Sequence, residues 1–181
     1  MKTREMTLCA MFTVLIAVGA SIKMPIPVVP FTLQTFFVAM SGIILGGRLG
    51  AISATCYMLI GLAGVPVFAQ GGGISYVLQP SFGYIVGFIA GAYVIGKLAS
   101  GNNVSIKRLL VANFAGLFIV YIFGMIYYYI IGNFVINSPI GVGALFWYCF
   151  VLVVPGDAVL SVIAAIMGKK LKPAVGAMMH S

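Results

Sequence analysis

One apolar stretch near the C-terminus decides the fold class: residues 146–167 read FWYCFVLVVPGDAVLSVIAAIM. It is long enough to cross a bilayer as a helix, which takes about 20 residues. Its one charge is Asp157, and a carboxylate at such a depth costs about 2.5–3.5 kcal/mol. Asp157 therefore needs a hydrated cavity, a ligand or a polar partner. The first two make it a functional residue, whereas neighbouring backbone or hydroxyl groups could satisfy it for structural reasons alone.

The composition of the whole chain is that of a membrane protein. Of its 181 residues, 62% are hydrophobic and 7% are charged, and the mean hydropathy is +1.19. These values lie far outside the range of soluble domains. The net charge of +8 does not indicate nucleic acid binding, because the ten lysines and arginines are scattered and form no basic stripe. No linker or low-complexity segment appears, so we expect one membrane domain over residues 1–181.

Apolar runs of membrane length predict an all-α bundle of six transmembrane helices. The first run follows Lys2-Thr-Arg4 and resembles a signal peptide, but membrane-length sequence continues after it, so we interpret it as a retained helix. Residues 24–30 are rich in proline, which disfavours helix and strand alike, and we expect an extended connector there. Proline and glycine clusters divide the remainder. The predicted spans are about 6–22, 31–47, 51–65, 82–96, 109–131 and 142–167.

Charge placement supports this topology independently. With six crossings and a cytoplasmic N-terminus, Lys23 is the one basic residue that lies on the outer side. This strong positive-inside asymmetry predicts that both termini are cytoplasmic. We expect a multi-pass protein of a prokaryotic plasma membrane, in contact with lipid. The cations assigned to the cytoplasmic side are Lys2, Arg4, Arg48, Lys97, Lys107, Arg108, Lys169, Lys170 and Lys172.

Small residues repeat every four positions in three places. A four-residue step places each set on one helix face, where two backbones can approach closely in a membrane. We expect the two glycine sets to pack inside the bundle, while the set in the first helix suits either a neighbouring helix or another membrane subunit. The sets are Gly42, Gly46 and Gly50; Gly83, Gly87 and Gly91; and Cys9, Thr13, Ala17 and Ser21.

The inventory of reactive side chains excludes most enzyme classes. The chain has two acids and one histidine, His180, which we expect to lie in a frayed tail. Such a set cannot form a catalytic triad, a paired-carboxylate site or a zinc site. The glycines at 71–73 are not followed by the lysine of a phosphate-binding loop, so the chain has no ATP site of its own. We therefore expect no enzyme activity, no metal and no cofactor.

Uncharged polar and aromatic residues gather on the outer side in the predicted topology. They lie at the start of the second helix and in the connection between the third and fourth helices. With Asp157 near the middle of the bilayer, they predict a cavity open to the outside that suits a small uncharged or weakly charged solute. Helix-end capping is the alternative role for Thr32, Gln34 and Gln79. The candidate site residues are Phe31, Thr32, Gln34, Gln70, Tyr76, Gln79, Tyr84 and Asp157, with Lys23 at the same face.

The chain resembles the BioY family, the biotin-specific substrate-binding (S) components of energy-coupling-factor (ECF) vitamin transporters. The resemblance covers almost the whole chain, and its most specific segment is GASIKMPIPVVPFTLQTFF at residues 19–37. Further similar segments, in order, are LGGRLGA at 45–51, GVPVFA at 64–69, PSFGY at 80–84 and PGD at 155–157.

The resemblance implies high-affinity binding of biotin from outside by a six-helix S component. Asp157 would accept hydrogen bonds from the two ureido N–H groups, aromatic side chains would enclose the rings, and Lys23 or loop amides would meet the valerate end. It also implies two kinds of partner, a transmembrane coupling (T) subunit and two cytoplasmic ATPases. The small-residue face of the first helix, with Ala10, Thr13 and Ala17, would contact the T subunit, and a tilt of the S component would release the solute inward.

Two departures from the family pattern bear on specificity. Leu160 stands where the family usually has a lysine three residues after the acid, and QPSFGY at 79–84 replaces a glycine-rich segment. Without that lysine, Lys23 is the one basic residue available to a solute carboxylate on the outer side. A related vitamin or cofactor precursor therefore stays open as the solute. A non-transport structural subunit of a membrane complex, with the glycine sets as its contact surfaces, stays open as the alternative function.

Overall fold

Helices make up most of the computed structural model, which describes residues 2–24, 31–101 and 104–180, with only the backbone for residues 177–180. A short 3-10 helix, Ile74–Leu78, interrupts the connection between the third and fourth helices, and a π-helical turn, Trp147–Val151, follows the sixth. In chain order the elements are α1 (Thr3–Ser21), β1 (Lys23–Met24), β2 (Phe31–Thr32), α2 (Gln34–Leu45), α3 (Gly47–Leu62), α4 (Phe82–Leu98), α5 (Ile106–Phe134), α6 (Val142–Phe146) and α7 (Val154–His180).

The helical segments overlap the six predicted spans, with bounds that differ by several residues. Among the described residues, three segments are long and apolar enough to cross a membrane, namely Thr3–Ser21, Ile106–Phe134 and Val142–Gly176. Helices α2, α3 and α4 are equally apolar but shorter, with 12, 16 and 17 residues. At 1.5 Å per residue they reach about 18–26 Å, somewhat less than the roughly 30 Å of a hydrocarbon core.

The predicted start of the second helix is wrong by three residues. Phe31 and Thr32 form a strand instead, paired antiparallel with Lys23 and Met24. The pairing is extended by a hydrogen bond from the Leu33 N–H to the Ile22 carbonyl at 3.2 Å, so the helix begins only at Gln34. This hairpin brings the end of α1 back beside the start of α2. The expected extended connector falls mostly on residues 25–30, which lie outside the described residues, while Met24 at its start belongs to β1.

The last predicted span is not one continuous α-helix. The Leu152 N–H donates to the Trp147 carbonyl, five residues back, at 3.1 Å, and this wide turn separates α6 from α7. Pro155 explains the break, because it has no N–H to donate to the preceding turn. The break lies before Pro155, at the π-helical turn Trp147–Val151. The expected frayed tail is wrong, since α7 continues to His180.

Contacts between helix ends confirm the predicted charge topology. The Cys9 thiol reaches the Leu49 carbonyl at 3.6 Å, which places the start of α1 beside the start of α3. The Arg108 Nε donates to the Leu98 carbonyl at 2.7 Å, and the Lys172 ammonium donates to the Ala99 carbonyl. The beginnings of α1, α3 and α5 and the ends of α4 and α7 thus share one end of the bundle. This end carries nine of the ten cations, and by the positive-inside rule it is cytoplasmic.

Both glycine sets are used inside the bundle, but only one lies on a single helix face. Gly83, Gly87 and Gly91 face α5, and a Cβ on Gly87 would lie 2.9 Å from the Val120 Cα. The expectation of one face is wrong for Gly42, Gly46 and Gly50, because Gly46 has φ +83° and turns the chain from α2 into α3. Gly50 faces the backbone of Gly42 across this turn, where a Cβ would lie 3.0 Å from the Gly42 nitrogen, whereas Gly42 faces α4, where a Cβ would lie 2.8 Å from the Ala92 carbonyl oxygen.

Candidate ligand-binding site

A cavity lies between the helices toward the end of the bundle opposite the cytoplasmic cations. Helices α2, α4, α5 and α7 line it, together with residues 66–81 of the connection between α3 and α4. Its empty volume is about 580 Å³, including the part open to the outside. The lining residues are Phe31, Thr32, Gln34, Thr35, Ala69, Tyr76, Ser81, Tyr84, Ile85, Phe88, Val120, Tyr121, Val153 and Asp157.

Helix α5, the start of α7 and the turn residue just before α7 contribute four lining residues, which we call the helical wall: Val120, Tyr121, Val153 and Asp157. Asp157 lies in the first turn of α7 and is 4% exposed. Its Oδ2 accepts a hydrogen bond of 2.5 Å from the Tyr121 hydroxyl of α5. Its Oδ1 makes no hydrogen bond to the described residues, although the Thr35 hydroxyl lies near enough to interact with the carboxylate. The carboxylate therefore has one oxygen bound by the protein and one left for another donor.

The surroundings of this pair hold it rigidly. Tyr121 is 1% exposed, and its ring packs edge-on against Tyr84 and Phe150 at centroid distances of 6.2 and 5.2 Å. Gly156 lets the Phe31 ring approach the start of α7, because a Cβ there would lie 2.7 Å from the Phe31 Cε2. No lysine or arginine is among the described residues that line the cavity. Asp157 is thus held by a neutral donor and aromatic packing, without a cation.

A second polar network crosses the cavity wall at the start of α2. The Thr32 hydroxyl donates to the Gln34 Oε1 at 3.1 Å, and the Gln34 Nε2 donates to the Tyr57 hydroxyl at 2.6 Å. Tyr57 in turn donates to the Val67 carbonyl at 3.2 Å. Thr32 also accepts a long bond of 3.4 Å from the Gln34 N–H, as a capping residue would. Capping therefore describes part of the role of Thr32, whereas the Gln34 side chain joins α2 to α3.

Loops and short strands lie over the outer end of the cavity, and we call residues 66–81 together with strands β1 and β2 the cover. Phe68 packs against Tyr57, Tyr76 and Phe82 at centroid distances of 5.4, 4.5 and 6.5 Å. Burial raises the pKa of the Tyr76 phenol, which stays a neutral donor at physiological pH. The Lys23 ammonium donates to the Ala69 carbonyl at 2.6 Å. This bond ties the two parts of the cover together.

The structure brings together six of the nine candidate site residues at the cavity surface. These six are Phe31, Thr32, Gln34, Tyr76, Tyr84 and Asp157. Lys23 lies one step away, because it binds the carbonyl of the lining residue Ala69. Gln70 and Gln79 are exposed and do not line the cavity.

Several lining residues were not predicted, and Tyr121 is the most important of them. A signal for it exists in the sequence. Tyr121 lies at the middle of a 29-residue apolar helix, away from the membrane interface where tyrosines usually collect, so its hydroxyl needs a buried partner. The other unpredicted lining residues are Thr35, Ala69, Ser81, Ile85, Phe88, Val120 and Val153.

The candidate partner-contact residues of α1 differ in exposure. Ala10 is exposed and Ala17 is half-buried, whereas Thr13 is 6% exposed. The Thr13 hydroxyl donates to the carbonyls of Cys9 and Ser53, at 2.9 and 3.1 Å, and so packs against α3. Ala17 and Ser21 line a groove between α1 and α3 that also includes Tyr57. A partner could reach Ala10 and Ala17 directly, while Thr13 sets the distance between α1 and α3.

A bundle of apolar helices that encloses an aromatic cavity with one buried carboxylate defines a membrane protein that binds a small solute. The chain belongs to the BioY family, whose family model matches residues 1–177. It is 44% identical over 171 residues to the "Probable biotin transporter BioY" of Lysinibacillus sphaericus, covering 94% of this chain and 87% of the relative. It is 40% identical over 172 residues to the "Biotin transporter BioY" of Thermotoga maritima, covering 93% and 96%.

A solved structure has the same fold. The S-component for biotin from an ECF-type ABC transporter, determined by crystallography at 2.1 Å, matches with a TM-score of 0.76 and 25% sequence identity. The match covers 94% of this chain and 91% of that one.

Proposed function

We propose that this chain binds biotin at the outer face of the plasma membrane, as the substrate-binding component of an ECF transporter. The observation that carries the proposal is Asp157, whose Oδ1 is buried and unpartnered beside the enclosed cavity of a BioY family member. A urea N–H is the kind of donor that such an oxygen takes, because a hydrogen bond to a charged acceptor is worth about 1.5–3 kcal/mol. The aromatic cover suits the fused rings.

The valerate carboxylate of biotin needs a different partner, because the described cavity lining has no cation. Lys23 is the basic residue on the outer side, and its ammonium is already within 2.6 Å of the lining residue Ala69. We therefore orient the ligand with its ureido ring at Asp157 and its carboxylate toward Lys23. Leu160 leaves this orientation without the lysine that the family usually has.

The cover lies between the cavity and the outside, so we expect its residues to move apart when the ligand enters. Hydrogen bonds between side chains and loop carbonyls, such as Lys23–Ala69 and Tyr57–Val67, can break without disturbing the helices. Entry through the cover is consistent with the regular secondary structure of the helical wall and the irregular structure of the cover.

ATP hydrolysis would come from partner subunits. We propose that residues 1–181 form a single membrane domain that assembles with a T subunit and two cytoplasmic ATPases, and that Ala10 and Ala17 of α1 face the T subunit. The alternative of a structural subunit with glycine contact surfaces has little support, because both glycine sets contact other helices of this chain. Co-purification with an ECF coupling module, lost on Ala10→Trp and Ala17→Trp, would support the assembly; retention of the module in both variants would contradict it.

The proposed function is tested with purified protein in detergent. Native mass spectrometry is expected to detect a bound species of the mass of biotin after expression in rich medium. Tritiated biotin should bind saturably, with one site per chain, and excess biotin should displace it more strongly than desthiobiotin or lipoate. Saturable binding of lipoate with no response to biotin would move the proposal to another vitamin. Folded protein that binds neither would contradict a vitamin-binding function.

A further inference from the structure

The Tyr121 hydroxyl makes the two oxygens of the Asp157 carboxylate different. It holds Oδ2 at 2.5 Å, while Oδ1 has no described protein partner. We propose that Tyr121 is a positioning residue for ligand recognition, which turns Asp157 so that Oδ1 alone is presented to the solute. This inference rests on the proposed function and adds a specificity-determining residue to it.

The position of Tyr121 suits this task. Its ring is fixed between Tyr84 and Phe150, and α5 and α7 are joined a second time where the Asn113 Nδ2 donates to the Ser161 carbonyl at 2.8 Å. Ser161 lies one helical turn after Asp157, and Asn113 lies about two turns before Tyr121. Both hydrogen bonds join α5 to α7, and together they fix the distance between the Tyr121 hydroxyl and the Asp157 carboxylate.

A fixed carboxylate affects both affinity and selectivity. Ordering a free side chain on binding weakens affinity by about 3- to 10-fold, and Tyr121 meets that cost before the ligand arrives. When only one carboxylate oxygen faces the ligand, it accepts a hydrogen bond from one ureido N–H and not from both. Asp157 then recognises one nitrogen of the urea, and the second nitrogen faces another group of the cavity.

The test combines Tyr121→Phe with Asp157→Asn, measured as biotin affinity by titration calorimetry. In the wild-type background, Tyr121→Phe should weaken binding about 3- to 10-fold. In the Asp157→Asn background, Tyr121→Phe should no longer weaken biotin binding. In this background the Tyr121 hydroxyl donates to the oxygen of the new side-chain amide and so turns the amide NH₂ toward the N–H groups of the ligand. Without the hydroxyl, the amide can flip and present its oxygen to the ligand. Biotin affinity should therefore stay the same or improve.

Tyr127→Phe is the matched control. It removes a hydroxyl of the same helix that donates to the Val77 carbonyl at 2.6 Å, and Tyr127 does not line the cavity. In each background, Tyr127→Phe should leave biotin affinity within about 2-fold of the protein that keeps Tyr127. An equal loss from Tyr121→Phe in both backgrounds, or no loss in either, would overturn the inference, because a purely structural tyrosine would act without regard to residue 157.

Two outcomes separate this inference from the proposed function. Wild-type protein that binds no biotin removes the proposed function and the inference with it, whereas biotin binding without the expected difference between the two backgrounds removes the inference alone. Should Tyr121→Phe fail to elute as folded protein, the wild type decides with the two mono-N-methyl isomers of biotin. One isomer should bind at least about 10-fold more weakly than the other. Equal affinities would contradict the proposal that Asp157 accepts a hydrogen bond from only one ureido nitrogen.

Discussion

The helical wall and the cover line opposite sides of the same cavity, but different kinds of hydrogen bond hold them in place. In the helical wall, Asp157 and Tyr121 belong to long helices, are almost fully buried and bond to each other. In the cover, Lys23 is exposed and bonds to a loop carbonyl, as Tyr57 does from the neighbouring helix. Bonds between packed helices persist, whereas bonds from side chains to loops open readily. We therefore expect the helical wall to set which solute binds and the cover to set how fast it enters and leaves.

The largest expected effect is at the helical wall. Asp157→Asn should weaken biotin binding by about 10- to 100-fold, because a charged acceptor is lost and an amide can turn its NH₂ toward the ligand. The loss should appear mainly as faster dissociation in surface plasmon resonance. Glu5→Gln is the control, since it neutralises the other acid of the chain at the cytoplasmic end. Similar affinities for Asp157→Asn and wild type would remove Asp157 from the site.

A second effect is expected where the helical part of the cavity joins the cover. Tyr57→Phe leaves the Gln34 amide without its acceptor and frees the Val67 carbonyl, which should lower the free energy of unfolding by about 1–3 kcal/mol. Denaturant titration in detergent measures it. The double variant Tyr57→Phe with Gln34→Leu should recover part of the loss, because no buried amide is then unpaired. A further loss in the double variant would show that Gln34 has another partner.

The smallest effect is expected at the cover. Lys23→Met should weaken biotin affinity by about 2- to 5-fold, since exposed charges contribute roughly 1 kcal/mol or less. Association should slow and lose its dependence on salt, because the cation that attracts the carboxylate is gone, and dissociation should quicken slightly. Stopped-flow measurements at low and high salt separate the two rates. Lys97→Met, at the opposite end of the bundle, should change neither; an equal response of both variants would deny Lys23 a role at the mouth.

The same comparison explains what could be predicted from the sequence. Asp157 stands out because one charge in an apolar stretch is costly wherever the helix packs, and the charge topology follows from counting cations. The strand at Phe31–Thr32 could not be read in the same way. It depends on pairing with Lys23–Met24, and the residues themselves fit an apolar helix equally well.

The helical wall was predicted only in part. Tyr121 and Asp157 are 36 positions apart in the chain, and their contact depends on how α5 crosses α7. Gly46 shows the opposite error, since a regular four-residue spacing indicated one helix face where the chain reverses direction. The polarity of Gln70 and Gln79 predicts that they belong to the site, but both are exposed and do not line the cavity. The free-energy cost of a buried charge and the spacing of small residues can be recognised in the sequence. Contacts between segments far apart in the chain become visible only in the folded structure.

A structure of the protein with biotin bound tests the central claim most directly. We predict the ureido ring at the helical wall, with one ring nitrogen about 2.9 Å from the Asp157 Oδ1 and the Tyr121 hydroxyl still on Oδ2. The valerate carboxylate should lie at the cover, near Lys23. A ligand in the reverse orientation, with its carboxylate beside Asp157, or one bound outside this cavity, would contradict the account.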